Sequence, residues 1–112
     1  MPRDDAVVLD IEHAARLAQQ FVAGLDRDGF LADVKSQSAV LHQLPIIGEA
    51  VKRLSSQYRD AHPLVPWGLI AGMRDKLIHA YDAVDLEEVW RTVQRDLPNL
   101  LTELAPDSPG AA

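Results

Sequence analysis

PWGLIAGMRDKLIHAYDAVDLEEVWRTVQRDL, residues 66–97, holds two helices and the break between them. Pro66 suits the first turn of a helix and discourages helix in the residue before it, so a helix is expected over residues 66–81. Asp85 followed by Glu88 reads as a capping box that opens the next helix. Leu86, Val89, Trp90, Val93 and Leu97 then recur at three- and four-residue steps, which extends that helix over 85–104, with Pro98 bending or ending the stripe. No part of the stretch alternates with the period of a strand.

The same period runs upstream. Val40, Leu44, Ile47, Val51 and Leu54 mark a helix over 36–60, with Ser36 or Ser38 as its cap. Pro45 lies inside this stripe, where it removes a donor and crowds the preceding turn, so a kink rather than a break is expected. Val7, Ile11, Ala14, Leu17, Ala18, Phe21 and Leu25 mark another helix over 5–26, with Asp4 and Asp5 as candidate N-caps. Gly24 and Gly29 bracket the turn that follows, and Phe30 and Leu31 pin it to the core. Gly68 and Gly72, four apart, leave one face of the 66–81 helix bare enough for a neighbouring backbone to approach. The expected fold is an all-α, antiparallel four-helix bundle forming a single domain over 1–104. Residues 105–112, with two prolines and a glycine, read as a flexible tail.

Composition narrows the function. A chain of 112 residues makes one core but leaves much apolar surface uncovered, which favours self-association. With no cysteine, disulfides, thiolate metal sites and cysteine nucleophiles are excluded. No apolar run approaches the roughly 18 residues of a membrane span, and Met-Pro-Arg-Asp-Asp does not begin a secretory signal, so no membrane role and a cytoplasmic location are expected. A net charge of −6 argues against general nucleic-acid binding, DNA included, because such affinity comes from neutralising phosphates. Any RNA contact must be local, in a cleft, or helped by a partner.

One cluster carries chemistry: Arg74, His79 and Tyr81. Arginine holds phosphate, histidine moves a proton near neutral pH, and the tyrosine hydroxyl can itself be modified. Taken alone, a helix-terminal arginine and histidine would simply complement the helix dipole, and Tyr81 would close the core. Asp75 can orient either partner, while Glu49 is a surface carboxylate with a second possible role, holding Arg74. Trp67 and Trp90 at helical spacing read as core or interface anchors. His13, His42 and His62 lack metal-binding spacing, and the six glycines form no phosphate-binding loop, so neither a metal nor another cofactor is expected.

An ordered set of residues spans most of the chain: Phe30, Ala39-Val40, Ile47-Gly48-Glu49-Ala50, Pro66-Trp67, Gly72-Met73-Arg74, His79, Tyr81, Val84-Asp85, Trp90 and Asp96-Leu97-Pro98. In these the chain resembles the HEPN superfamily, in its HepT-like branch. The resemblance implies the toxin of a type VII-like toxin-antitoxin pair, a metal-independent endoribonuclease acting as a homodimer on RNA. It further implies an RxxxxHxY motif at the dimer interface, with Arg74 and His79 catalytic. A cognate MntA-type nucleotidyltransferase would silence the toxin by adenylylating Tyr81. Pro45 departs from the family pattern without touching the motif. A rival of another class is a non-catalytic helical module that binds such a nucleotidyltransferase or its nucleotide.

Geometry adds an independent point. At ~100° per residue, five residues turn ~140°, so Arg74 and His79 do not share a helix face, whereas Arg74 and Tyr81 do. Either the site draws on two chains, or the helix loosens near His79.

Overall fold

Four side chains set helix boundaries by accepting backbone N–H groups that a first helical turn leaves unpaired. Asp26 accepts from Gly29 at 2.7 Å, Asp33 from Lys35 at 3.2 Å, and Ser55 from Tyr58 at 3.0 Å. Asp85 accepts from Glu87 and Glu88 at 3.0 and 3.3 Å. The computed structural model describes residues 2–79 and 84–107, with side chains for 3–73 and 84–107. In it these caps open α2 (Arg27–Ala32), α3 (Val34–Arg53), α4 (Ser56–Ala61) and α6 (Leu86–Arg91). α1 (Pro2–Phe21) precedes them, and α5 (Trp67–His79) lies between α4 and α6. From α6 one rod continues through a π-helical turn, Thr92–Asp96, into α7 (Leu97–Leu104) and a 3-10 turn, Ala105–Asp107.

Among the described residues every regular element is helical, and the all-α bundle expected from the sequence is what forms. α3 packs between α1 and α5, while α7 and the π-helical turn close against α1. The helix expected over 36–60 is two helices, because Leu54 turns extended and Ser55 caps a new start. The cap of α3 is Asp33 rather than Ser36 or Ser38; Ser36 instead donates its hydroxyl to Asp33 at 2.5 Å. α2 occupies a stretch that reads as a turn. α3 passes through Pro45 without a break.

α1 ends at Phe21, short of residue 26, because Gly24 takes φ +82 and lets Leu25 N–H reach the Val22 carbonyl at 3.0 Å. Pro98 stands just inside α7 without ending the rod. It has no N–H to give, and its ring would crowd a carbonyl one turn back. The wider π-helical turn ahead of it, closed by Leu97 N–H to Thr92 O, relieves that crowding. The tail expected from 105 begins later: Ala105–Asp107 are helical, and residues 108–112 lie outside the described residues.

Asp4 and Asp5 lie within α1 and do not cap it. Asp4 is 4% exposed and serves a distant helix, accepting from Ser55 N–H at 2.9 Å and from its hydroxyl at 2.7 Å. A carboxylate thus fixes the residue that itself caps α4. The backbone bond from Ser55, then the hydroxyl bond, hold the Asp4 carboxyl below its ordinary range. Because the folded value is depressed, this stabilisation is present above the ordinary carboxylate pKa and lost as pH falls through the lowered value. Asp4→Asn therefore gives a melting temperature that falls less steeply below about pH 4 than wild type, measured by circular dichroism.

The core is built from one stripe per helix. Val8, Ile11, Ala15 and Ala18 of α1 meet Val40, Leu44, Ile47 and Val51 of α3, with Val89, Val93, Leu97, Leu100 and Leu104 of the rod closing the far side. Phe30 is fully buried, its ring 5.4 Å from that of Trp90. Arg27 pairs with Glu87, tying α2 to α6 beside that contact. No helix among the described residues is long and apolar enough to cross a membrane.

Candidate functional site

α5 carries the arginine-histidine motif, and its start is firmly held. Val65 is buried, and Trp67 donates its indole N–H to the carbonyls of Arg59 at 3.0 Å and His62 at 3.1 Å. The carbonyls at the end of α4, which already accept from the His62 and Val65 N–H groups, thereby gain a second donor from the first turn of α5. Trp67, Ile70, Ala71 and Met73 pack against the core, whereas Gly68, Leu69 and Gly72 face outward, Leu69 76% exposed. Trp67 and Trp90 are anchors of the packing, as their spacing suggested.

The backbone of α5 stays α-helical through His79, so no loosening precedes that residue. Continuous register sets position 79 within ~20° of Gly68 and position 74 within ~20° of Trp67 around the helix axis. The ~140° separation of Arg74 and His79 therefore holds in the folded chain. Arg74, Asp75 and His79 are described by their backbone alone, and Tyr81 lies outside the described residues. Glu49 is exposed on α3, the helix against which α5 packs.

A second polar cluster ties the end of the rod to α4. His62 Nε2 lies 2.9 Å from Asp107 and Nδ1 3.9 Å from Glu103, and its ring stacks on Tyr58 with centroids 4.4 Å apart. Tyr58 donates its hydroxyl to Asp107 at 3.3 Å. Burial, reinforced by Asp107, pushes the Tyr58 phenol above its ordinary range, so the ring stays protonated and remains a donor. No sequence motif marks this cluster; its members meet only because the rod returns to α4. Among the described residues no three histidine, aspartate or glutamate side chains converge as a metal site.

A family profile described as "Ribonuclease HepT-like" matches residues 11–105, a span that runs from within α1 through α7 and contains all of α5. The chain belongs to the HepT-like ribonuclease family. "Probable ribonuclease HepT" of Thermococcus cleftensis is 45% identical over 91 residues, covering 81% of this chain and 83% of that protein. A Caldanaerobacter subterraneus protein named as a candidate RNase is 44% identical over 79 residues, covering 70% of each chain. A Methanocaldococcus jannaschii protein, also named as a candidate RNase, is 39% identical over 106 residues, covering 93% of this chain and 88% of that protein. No solved structure matches the chain. For a HepT-like ribonuclease of the HEPN type the all-α bundle is the expected frame.

Sequence reasoning passed over Arg91 and Arg95, which stand across an open groove from Gly68 and Gly72. Their signal was available: two arginines four apart after Trp90, on the outer side of a stripe whose apolar positions were already assigned to the core.

Proposed function

We propose that this chain is a metal-independent RNA endonuclease that works as a homodimer, with Arg74 and His79 of both copies forming one shared site. The observation that carries this reading is the unbroken helix of α5 in a HepT-like ribonuclease. It keeps position 74 and position 79 on different faces, so a single copy is poorly placed to supply both groups to one phosphate. Leu64, 81% exposed just ahead of α5, is consistent with apolar surface that a second copy covers.

The chemistry needs two proton transfers. One His79 takes the proton of the 2′-hydroxyl as that oxygen bonds to phosphorus, and the partner's His79, protonated, gives its proton to the departing 5′ oxygen. Arg74 from each copy stabilises the charge that builds on the phosphorane oxygens. An isologous interface supplies both members of each pair from one sequence. The products are a 2′,3′-cyclic phosphate and a 5′-hydroxyl, and mass spectrometry of fragments cut in the presence of EDTA is expected to find both. A 3′-hydroxyl with a 5′-phosphate, or loss of cleavage in EDTA, contradicts the mechanism.

In the same reading Tyr81 is the target of an MntA-type nucleotidyltransferase, making the chain the toxin of a toxin-antitoxin pair. An AMP on Tyr81 would set a negatively charged phosphodiester where substrate phosphate must sit, competing for Arg74. Incubation with the nucleotidyltransferase and ATP is expected to raise the mass by one or more AMP groups and stop cleavage, with Tyr81→Phe escaping both effects. Asp75 and Glu49 are assigned supporting roles, orienting His79 or Arg74. The net charge of −6 is the one observation that favours the rival, a non-catalytic partner of the nucleotidyltransferase. Cleavage by the purified chain alone decides between them.

A further inference from the structure

The outward edge of α5 borders a groove that packing within the chain does not explain. A Cβ placed on Gly68 or Gly72 would meet no atom of the described residues within 4 Å. Glycine within a helix costs about 1 kcal/mol relative to alanine, so bare positions with none of the described residues against them leave room for something from outside. Across from them the rod presents Arg91 and Arg95, and the space between, about 400 Å³, is walled by Leu69 and Met73 on the α5 side. Arg91 is exposed and has no ion pair with any described residue. Arg95 shares its Nε with Asp96 at 3.2 Å, and its side chain is 70% exposed. The π-helical turn that carries Arg95 is a rare distortion of the kind often kept at functional positions.

We infer that this groove is the path of the RNA strand beyond the scissile phosphate, with Arg91 and Arg95 as its phosphate contacts. The assignment rests on the ribonuclease reading above and extends it to where the substrate lies. Met73, in the groove wall, directly precedes Arg74 in the chain. The stripe of Gly68 and Gly72 continues in register to position 79, ~10 Å further along the axis. A strand held at the motif therefore runs into the groove. The bare glycines let a sugar-phosphate backbone lie close to α5, and Leu69 and Met73 offer apolar surface to its bases. Guanidinium forks suit the task because each presents paired donors to one phosphate. Glu88 and Asp96 line the same groove, so attraction is confined to the two forks and does not extend as a broad positive field. That is how a chain of net charge −6 can hold RNA locally.

The test uses full-length His79→Ala protein, which binds without cutting, and a fluorescently labelled single-stranded RNA of mixed sequence. Adding Arg91→Ala is expected to weaken binding about tenfold and to reduce the slope of log affinity against log salt by ~0.7, the value for one phosphate contact on a single strand. Arg95→Ala acts in the same direction, and Glu88→Gln, which removes a competing carboxylate, tightens binding. Light scattering and circular dichroism on each variant establish that dimer and fold persist. Unchanged affinity and slope in the arginine variants overturn the assignment, as does a loss of dimer on Arg91→Ala, which would mean that a second copy fills the groove. If wild type cleaves RNA while the Arg91 variant binds as well as its parent, only the groove assignment fails. If wild type neither binds nor cleaves RNA, the ribonuclease reading fails with it.

Discussion

His79→Ala is expected to lower the single-turnover rate of RNA cleavage by about 10²–10⁴, the usual contribution of a positioned acid or base. In the proposed dimer both proton transfers pass through this residue, which puts the expected loss at the upper end of that range. Arg74→Ala is expected to cost about 10²–10³, as removal of one donor from a developing oxyanion does. Arg74→Lys recovers little of this, because a point charge does not reproduce the paired donors of a guanidinium. Both variants should melt near the wild-type temperature. Cleavage by His79→Ala at the wild-type rate removes the histidine from the mechanism.

The largest effect on stability is expected at Phe30. Its side chain is fully buried and packs on Trp90, joining α2 to the rod. Phe30→Ala removes that volume from a close-packed core and costs about 3–5 kcal/mol in lost transfer energy and cavity. For a domain near this size each kcal/mol lowers the melting temperature by roughly 4–8 °C, so a fall of at least ~12 °C is expected in thermal denaturation. Against a total stability of about 5–15 kcal/mol the variant is marginal at best. A shift of a few degrees would mean that Phe30 is not central to the core. Phe30→Leu, which keeps most of the apolar volume, should fall between the two.

Periodicity made most of this fold legible. The apolar stripes of α1, α3 and the rod are the ones that form the core, and Asp85 caps α6 as its spacing with Glu88 suggested. What sequence reading missed was settled by residues far apart in the chain. Nothing within residues 36–60 signals the break at Ser55, because the carboxylate that holds it is Asp4, fifty-one positions away. The same pairing turned an expected N-cap into a buried tether. α2 was hidden by its glycine and aspartates, which are turn formers until Phe30 finds Trp90. At the proposed site, the Arg74–His79–Tyr81 spacing is weak alone and gains weight from the ordered resemblance around it, while helical geometry raised the question of two chains. Arg91 and Arg95 stand four apart in the sequence, but only the fold shows that they face Gly68 and Gly72 across a groove.

The central claim is that one site is shared by two copies and needs a His79 from each. Wild-type and His79→Ala chains, distinguished by separate affinity tags, can be co-expressed at varied ratios and the cleavage rate of the dimer pool measured at constant total protein. A shared site makes the mixed dimer inactive, so activity falls as the square of the wild-type fraction and stands at about a quarter when the two are equal. A linear fall, with about half the activity at equal mixing and purified mixed dimers still cutting RNA, would contradict it.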